Sequence, residues 1–133
     1  MRLLIHTDGA SKGNPGAAGI GIALYRAGET EPLATIAEKI PDTTNNVAEY
    51  KALLRGLQEA LLRGASEVEV RTDSELMAKQ IAGQYAVKSV ELQPLFAEAK
   101  RLLGKFDKAA VNHVRREHNA LADKLANQGV KGL

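Results

Sequence analysis

The feature that most constrains the fold of this sequence is a change of hydrophobic period near residue 46. Before it, three short apolar runs at 2–8, 18–26 and 33–40 are separated by turn-forming residues. Short turns between such runs predict three antiparallel strands. After it, apolar side chains recur at three- and four-residue steps, at Val47, Tyr50, Leu54, Leu57 and Leu61. That period predicts an amphipathic helix over residues 46–63, which Gly64 ends.

The rest of the chain alternates strand and helix patterns. Residues 67–73 alternate apolar and polar side chains, as a half-exposed strand does. The remaining predicted elements are helices at 74–83 and 90–106, a strand at 109–117 and a last helix at 119–129. A strand that follows a helical crossover lies parallel to an earlier strand. The order βββαβααβα therefore predicts an α/β fold, a five-stranded mixed sheet flanked by helices, in one domain of residues 1–133.

Composition narrows the function without choosing it. The 133 residues include no cysteine, which excludes disulfides, thiolate metal sites and a cysteine nucleophile. The net charge of +2 permits a nucleic-acid partner, whereas an aromatic content of 4% leaves little room for base stacking. No apolar run is long enough for a membrane span. We expect a cytoplasmic monomer that does not contact membranes.

The stretch "DGASKGNPGAAG" after the first apolar run has two possible explanations. Glycines that follow a strand often cradle a phosphate with backbone N–H groups. In a Walker-type loop, however, the lysine follows the last glycine and a helix begins at once. Here Lys12 precedes Gly13, and a strand pattern follows. The stretch therefore predicts a hairpin, with Pro15 and Gly16 at the centre of a type II turn.

Four carboxylates stand at ends of predicted elements, namely Asp8, Glu49, Asp73 and Asp123. Each has a local explanation when it is taken alone. Asp-Gly is a common turn pair, and Asn46 with Glu49 has the spacing of a capping box. Asp73 and Asp123 lie where acids favour a helix N-terminus. For any single carboxylate, the structural explanation is the simpler one.

Taken together, the four carboxylates indicate a metal site. If strands one and four are parallel neighbours, Asp8 and Asp73 emerge side by side at the carboxyl edge of the sheet. Glu49 can point at the same place from the first long helix. Clustered acids repel one another unless cations neutralise them, and oxygen ligands without His or Cys suit Mg²⁺ or Mn²⁺. Two such ions about 3.5–4 Å apart are a known device for displacement at phosphorus.

Four segments resemble the type 1 ribonuclease H family over essentially the whole chain. They are "TDGASKGNPGAAG", "TTNNVAEYKALLRGL", "RTDSELM" and "HNALADKLAN". The resemblance implies the ribonuclease H-like fold and hydrolysis of the RNA strand of RNA–DNA hybrids. It also implies two divalent ions, Mg²⁺ or Mn²⁺, and products with 5′-phosphate and 3′-hydroxyl ends. Asp8, Glu49, Asp73 and Asp123 match the metal-binding carboxylates of the family.

The resemblance also implies a set of substrate-binding residues. Gly9, Ser11, Asn14 and Asn45 match positions that meet ribose 2′-hydroxyls and base edges, which is how a protein distinguishes RNA from DNA. Thr44 matches a residue that helps to hold a phosphate of the DNA strand. Lys12, in the substrate-facing turn, and Asn46 are further candidates for substrate binding. His118 is a separate candidate, a proton shuttle that could swing into the site. Asn45 and Asn46 can alternatively serve only as helix caps.

This sequence departs from the family at two places. Longer members carry a basic, Trp-containing protrusion, whereas residues 84–92 here are short and offer only Tyr85 and Lys88. The loop before Asp123 is also short, and it places His118 out of register with the histidine of the family. Activity on double-stranded RNA, or a non-catalytic nucleic-acid-binding domain, therefore remain alternatives.

Several other polar residues are interpreted as structural. Arg115 and Arg116 could line a nucleic-acid track, but each taken individually is better explained as a solvated surface cation. His6 and His113 lie within predicted strands, and we interpret both as packed side chains.

Overall fold

The computed structural model describes residues 1–132. Its elements are β1 Arg2–Ser11, β2 Gly16–Arg26, β3 Ala34–Thr43, α1 Asn45–Leu62, β4 Glu67–Thr72, α2 Glu75–Ile81, α3 Leu92–Leu103, β5 Lys108–His113 and α4 Ala120–Lys131, with a single 3₁₀ turn at Arg116–His118. The predicted order βββαβααβα is confirmed, and the five strands form a mixed sheet in the order β3-β2-β1-β4-β5.

Strand pairing brings two carboxylates to one edge of the sheet. β1 pairs antiparallel with β2 and parallel with β4, as predicted. The parallel pairing ends at Thr7 and Thr72, so Asp8 and Asp73 are the next residues on neighbouring strands. The prediction that β1 ends at Asp8 is wrong, because its pairing with β2 continues to Ser11.

Helices cover both faces of the sheet, and glycines set how closely one of them approaches. α1 contributes fully buried Leu53 and Leu57 to the core beside Leu3 and Ile5 of β1. α4 crosses β2 on the opposite face. A Cβ on Gly21 would lie 2.3 Å from the Ala122 carbonyl oxygen and the Ala126 backbone nitrogen. β2 therefore allows α4 to pack at backbone contact, which sets how closely this helix approaches the sheet.

One predicted helix end is correct and the other is wrong. Gly64 follows α1 with φ +79°, the left-handed conformation that ends a helix. Gly129, which was predicted to end the last helix, lies inside α4, and Gly132 with φ +74° ends it. A Cβ on Gly129 would lie 2.5 Å from the Glu38 carbonyl oxygen. That glycine therefore serves close packing of helix on strand.

The hairpin between β1 and β2 is wider than predicted. Gly16 already belongs to β2 and is not among the glycines with positive φ, which a type II turn requires. The loop closes instead through the Lys12 N–H, which donates to the Ala17 carbonyl at 2.8 Å. The Ser11 hydroxyl donates to the Thr43 carbonyl at 2.7 Å, which ties the hairpin to the end of β3.

The two histidines that were expected to pack within strands have different environments. His6 is half-buried and packs edge-on against Tyr25, whereas His113 is exposed, so its interpretation as a packed side chain is wrong. His113 ends β5, an edge strand whose other residues are mostly exposed.

Within residues 1–132, no helix combines the length and hydropathy needed to cross a bilayer.

Candidate active site

Three carboxylates meet where β1 and β4 separate, and we call Asp8, Glu49 and Asp73 the carboxylate cluster. One oxygen of each lies within 4.8 Å of one oxygen of each of the others. Asp8 and Glu49 are buried, with 4% and 5% of their surface exposed. The cluster opens into a cavity of about 390 Å³. The predicted convergence of these three residues is what the fold produces.

Glu49 reaches the cluster because β1 and α1 touch at a glycine. The Gly9 N–H donates to Glu49 Oε1 at 2.7 Å. A Cβ on Gly9 would lie 2.2 Å from the Ala48 carbonyl carbon, so only glycine permits this approach. The capping-box alternative for Glu49 is wrong, because Thr44 caps α1 by accepting from the Val47 N–H at 3.3 Å.

Asp73 is also free of a capping role. Ser74 caps α2, accepting from the Met77 N–H at 3.2 Å, and Thr72 Oγ1 accepts from the Ser74 N–H at 3.0 Å. Asp73 Oδ1 is buried and has no hydrogen-bond partner among residues 1–132. A buried carboxylate oxygen without a donor is costly unless a bound cation or a proton on a neighbouring carboxyl satisfies it.

Burial and like charge push the protonation equilibria of the cluster in one direction. Burial, then the charges of Glu49 and Asp73, raise the pKa of Asp8 to about 10. Burial and the charge of Asp73 raise the pKa of Glu49 to about 8, against the opposing effect of the Gly9 N–H. Without a cation, the cluster therefore cannot hold three negative charges near neutral pH.

Asp123 lies at the wall of the same cavity but outside the carboxylate cluster. It stands in the first turn of α4, and its Oδ1 lies 3.6 Å from Arg116 Nη2. Arg116 is a solvated surface charge, as interpreted, with 79% of its side chain exposed, and it also lines the cavity. The reason is that β5 ends at His113, so Arg116 belongs to the 3₁₀ turn at the cavity rim.

A buried asparagine joins the start of α4 to β1. Asn119 is 1% exposed, and its Nδ2 donates to the Thr7 carbonyl at 2.9 Å. Its Oδ1 consequently faces His6 Nδ1 at 3.2 Å, which requires the ring nitrogen to be the donor. This contact places the first turn of α4, and with it Asp123, beside the residue that precedes Asp8.

The expected substrate-binding residues divide into two groups. Gly9, Ser11, Lys12 and Asn45 line the cavity, and Asn14 Oδ1 accepts from the Asn45 N–H at 3.1 Å. Thr44 caps α1, and Asn46 is exposed on the first turn of α1.

His118 is exposed in the 3₁₀ turn and does not line the cavity. Its expected catalytic role stays a prediction.

Sequence reasoning also missed Asn127, which lines the cavity one helical turn after Asp123. Its Nδ2 donates to the Asp123 carbonyl at 2.9 Å. The spacing of four residues on a predicted helix is the signal that was available, since such residues share a face.

The donor set fits a hard divalent cation. The carboxylate cluster offers only oxygen atoms as metal ligands, and one of them is buried without a hydrogen-bond donor among residues 1–132. Asp123 lines the same cavity. Mg²⁺ and Mn²⁺ prefer oxygen ligands, and a cation would remove the repulsion that raises the pKa of Asp8.

Comparison with known proteins identifies the family. A family described as "Reverse transcriptase-like" matches residues 6–129. A bifunctional protein of Mycobacterium tuberculosis is 39% identical over 130 residues, which are 98% of this chain. The chain spans 36% of the length of that relative.

Two solved structures are similar over nearly their whole length. RNase H1 from the halophilic archaeon Halobacterium salinarum superimposes with a TM-score of 0.95 at 37% identity, covering 100% of both chains. LC11-RNase H1, solved in complex with an RNA/DNA hybrid, has a TM-score of 0.91 at 38% identity and covers 98% of this chain and 97% of its own. With the confirmed strand order and the convergent carboxylates, these similarities show that the chain belongs to the type 1 ribonuclease H family, as a short form without the basic protrusion.

Proposed function

We propose that this chain is a ribonuclease that hydrolyses the RNA strand of RNA–DNA hybrids. The observation that carries the proposal is the carboxylate cluster, three acids with oxygens within 4.8 Å of one another, one of which is buried without a hydrogen-bond donor among residues 1–132. LC11-RNase H1, which is similar over nearly the whole chain, supports the choice of substrate because it was solved with a hybrid. A non-catalytic binding domain would have no use for a cluster that costs this much to bury.

The residues that would hold the metal are Asp8, Glu49, Asp73 and Asp123. Two divalent ions bound there would activate the attacking water and offset charge at the leaving 3′-oxygen, giving 5′-phosphate and 3′-hydroxyl ends. The protein prepares this site: the Gly9 N–H fixes the Glu49 carboxylate before substrate arrives. Arg116 brings a positive charge to the rim, where it can hold a phosphate of the RNA strand.

The hairpin and the start of α1 would contact the ribose of the RNA strand. Gly9, Ser11, Lys12 and Asn45 line the cavity beside the carboxylate cluster, so a ribose next to the cleaved bond would lie against them. Asn14, Thr44 and Asn46 stand just outside, where the second strand would pass. Contact with 2′-hydroxyls is what separates RNA from DNA at such a site.

His118 is proposed as a proton shuttle at the rim. Its imidazole is exposed and lies in the same 3₁₀ turn as Arg116, which lines the cavity. We expect His118→Ala to lower the cleavage rate by about a hundredfold at most, the low end of what a positioned general acid or base contributes.

One observation favours a broader substrate range. A second cavity beside Thr44 is lined by two acids, Asp42 and Glu91, as well as Lys51. Those acids would repel a phosphate of the DNA strand, and the short segment between α2 and α3 supplies only Lys88 as compensation. We therefore propose weak discrimination in the second strand and some cleavage of double-stranded RNA.

A substrate panel tests both parts of the proposal. A hybrid, double-stranded RNA and double-stranded DNA of one sequence are incubated with Mg²⁺, Mn²⁺ or EDTA, and the ends are mapped. We expect cleavage of the RNA strand of the hybrid with either metal, less of double-stranded RNA, and none of DNA. Full activity in EDTA, or equal cleavage of DNA, would overturn the proposal.

A further inference from the structure

A chain of hydrogen bonds crosses the mouth of the active-site cavity. Lys12 Nζ, on the β1–β2 hairpin, donates to Asn127 Oδ1 on α4 at 2.6 Å. Asn127 Nδ2 donates to the Asp123 carbonyl at 2.9 Å and lies 3.5 Å from Asp123 Oδ1. All three residues line the cavity. The chain therefore joins the hairpin to the carboxylate that lies outside the carboxylate cluster.

Lys12 determines which way the Asn127 amide points. An ammonium group can only donate hydrogen bonds, whereas an amide has a donor end and an acceptor end. With Lys12 on one side, Asn127 must present Oδ1 to it, so Nδ2 turns toward Asp123. If the amide reversed, its oxygen would face the Asp123 carbonyl, and two acceptors repel.

The same arrangement distinguishes the two oxygens of Asp123. Oδ1 is approached by Asn127 Nδ2 at 3.5 Å and by Arg116 Nη2 at 3.6 Å. Both contacts fall on one oxygen, which leaves Oδ2 as the oxygen that neither group engages. The Lys12–Asn127 bond is exposed and therefore adds little to stability. Its effect is to orient the Asn127 amide and, through that amide, the Asp123 carboxylate.

We propose that Lys12 and Asn127 are positioning residues that orient the Asp123 carboxylate for the metal site. The inference rests on the proposed function, because it takes Asp123 as a metal ligand. Residues that orient a metal-binding carboxylate typically change metal affinity or activity by about 10–100-fold when they are replaced. Lys12 would thus couple the substrate-reading hairpin to Asp123.

Four variants separate this role from simple substrate contact. Asn127→Leu removes both ends of the amide at similar volume, Lys12→Met removes the donor, Lys12→Arg keeps a donor, and the fourth is the Lys12→Met/Asn127→Leu double variant. The matched control is Lys124→Met, an exposed lysine on α4 with no hydrogen bond or ion pair in the part of the chain that the structure describes. The readouts are the Mg²⁺ concentration for half-maximal cleavage at saturating hybrid, the KM for hybrid, and the NMR signals of the Asn127 side-chain amide.

We expect Asn127→Leu to raise the Mg²⁺ midpoint by about tenfold, and Lys12→Met by about threefold. The double variant should match Asn127→Leu, because Lys12 acts on Asp123 through Asn127. Lys12→Met should shift the Asn127 side-chain amide signals without any metal or substrate present, and Lys12→Arg should restore both the signals and the midpoint. Lys124→Met should change neither.

Three results would overturn the proposal. One is a Lys12→Met variant with a higher KM but an unchanged Mg²⁺ midpoint, which would show that Lys12 only contacts the substrate. Another is an effect of Lys12→Met on the midpoint that persists in full when Asn127 is already leucine. The third is that the NMR signals of the Asn127 side-chain amide do not change when Lys12 is replaced. Failure of the proposed function is a separate outcome, because the unsubstituted protein would then show no metal-dependent cleavage at all.

Discussion

Glu49 and Glu59 lie on the same helix, yet the protein surrounds them in opposite ways. Glu59 accepts from Arg55 Nη1 and Arg63 Nε, each at 2.9 Å, and Arg55 Nε also donates to Glu38 at 2.9 Å. The hydrogen bond from Arg55 leads the causes that lower the pKa of Glu59. Glu49 instead faces Asp8 and Asp73, and burial leads the causes that raise its pKa to about 8.

The difference shows which acids the polypeptide neutralises by itself. At Glu59 the counter-charge is covalently part of the chain, so the ion pairs are a structural feature of the β3–α1 surface. At the carboxylate cluster, Arg116 stands at the rim of the cavity and pairs with Asp123, which is not a member of the cluster. Within residues 1–132 no ion pair neutralises the cluster, and a divalent cation bound there would supply the missing charge.

The largest effect is expected from breaking the cluster. Asp8→Asn removes one ligand charge with little change of shape, and we expect hybrid cleavage to fall by roughly a thousandfold or more, since metal-assisted charge stabilisation supplies several kcal/mol. Asp107→Asn, at an exposed acid just before β5, is the matched control and should retain activity. Comparable initial rates for the two variants would contradict the role given to the cluster.

The second effect concerns stability against pH without metal. The raised pKa values mean that the folded state binds more protons than the unfolded chain between about pH 4, where free carboxyls titrate, and the folded values of about 8 and 10 for Glu49 and Asp8. The contribution of the cluster is therefore fully present below pH 4 and is lost as pH rises, by up to about 1.4 kcal/mol per pH unit for each extra proton.

Urea unfolding at several pH values between 5 and 8 checks this prediction. The metal-free protein should lose stability relative to Asp8→Asn as pH rises, and added Mg²⁺ should remove the deficit because it binds only the folded state. Parallel pH profiles for the two proteins would show that the carboxylates are not coupled in the folded state.

The third effect tests the glycine that brings Glu49 into the cluster. Gly9→Ala places a Cβ 2.2 Å from the Ala48 carbonyl carbon, so β1 and α1 must separate. We expect a loss of about 1–3 kcal/mol in the free energy of unfolding, together with reduced cleavage. In the control Gly104→Ala the nearest atoms to the new Cβ are at 3.5 Å, so its stability should change little. Equal effects of both substitutions on unfolding would argue against the contact.

The smallest effect is expected at the neutralised acid. Glu59→Gln loses two ion pairs at a partly exposed surface, which is worth about 1 kcal/mol. Since the pKa of Glu59 is lowered in the fold, its stabilisation is present above its unfolded pKa and is lost as pH falls, which is opposite to the cluster. Thermal unfolding at pH 7 and pH 3 measures this, and hybrid cleavage should be unchanged.

The sequence was sufficient to predict that Asp8 and Asp73 lie together, because the order of strands and helices can be read from its hydrophobic patterns. The apolar runs, the change of period at residue 46 and the crossover rule together make β1 and β4 parallel neighbours, and Asp8 and Asp73 follow from that. Glu49 required one more assumption, that α1 packs over the same edge of the sheet. That packing depends on Gly9, whose importance appears only when β1 and α1 are seen in contact.

What the sequence could not predict depended on contacts between distant segments. Gly129 resembles a helix end, but its role is set by Glu38 of β3. Arg116 is exposed, as predicted, but the strand pattern at 109–117 hid the early end of β5 that brings it to the cavity rim. The bond from Lys12 to Asn127 joins the two ends of the chain, and no periodicity reports such a contact.

The central claim is that the carboxylate cluster is a divalent cation site, and the Gly9 amide reports on it most directly because it donates to Glu49. Mg²⁺ is titrated into the substrate-free protein while the Gly9 N–H signal is followed by NMR. We expect a saturable shift in the unsubstituted protein and in Asp107→Asn, and none in Asp8→Asn or Asp73→Asn. A Gly9 signal that ignores Mg²⁺, or one that shifts equally in all four proteins, would contradict the account.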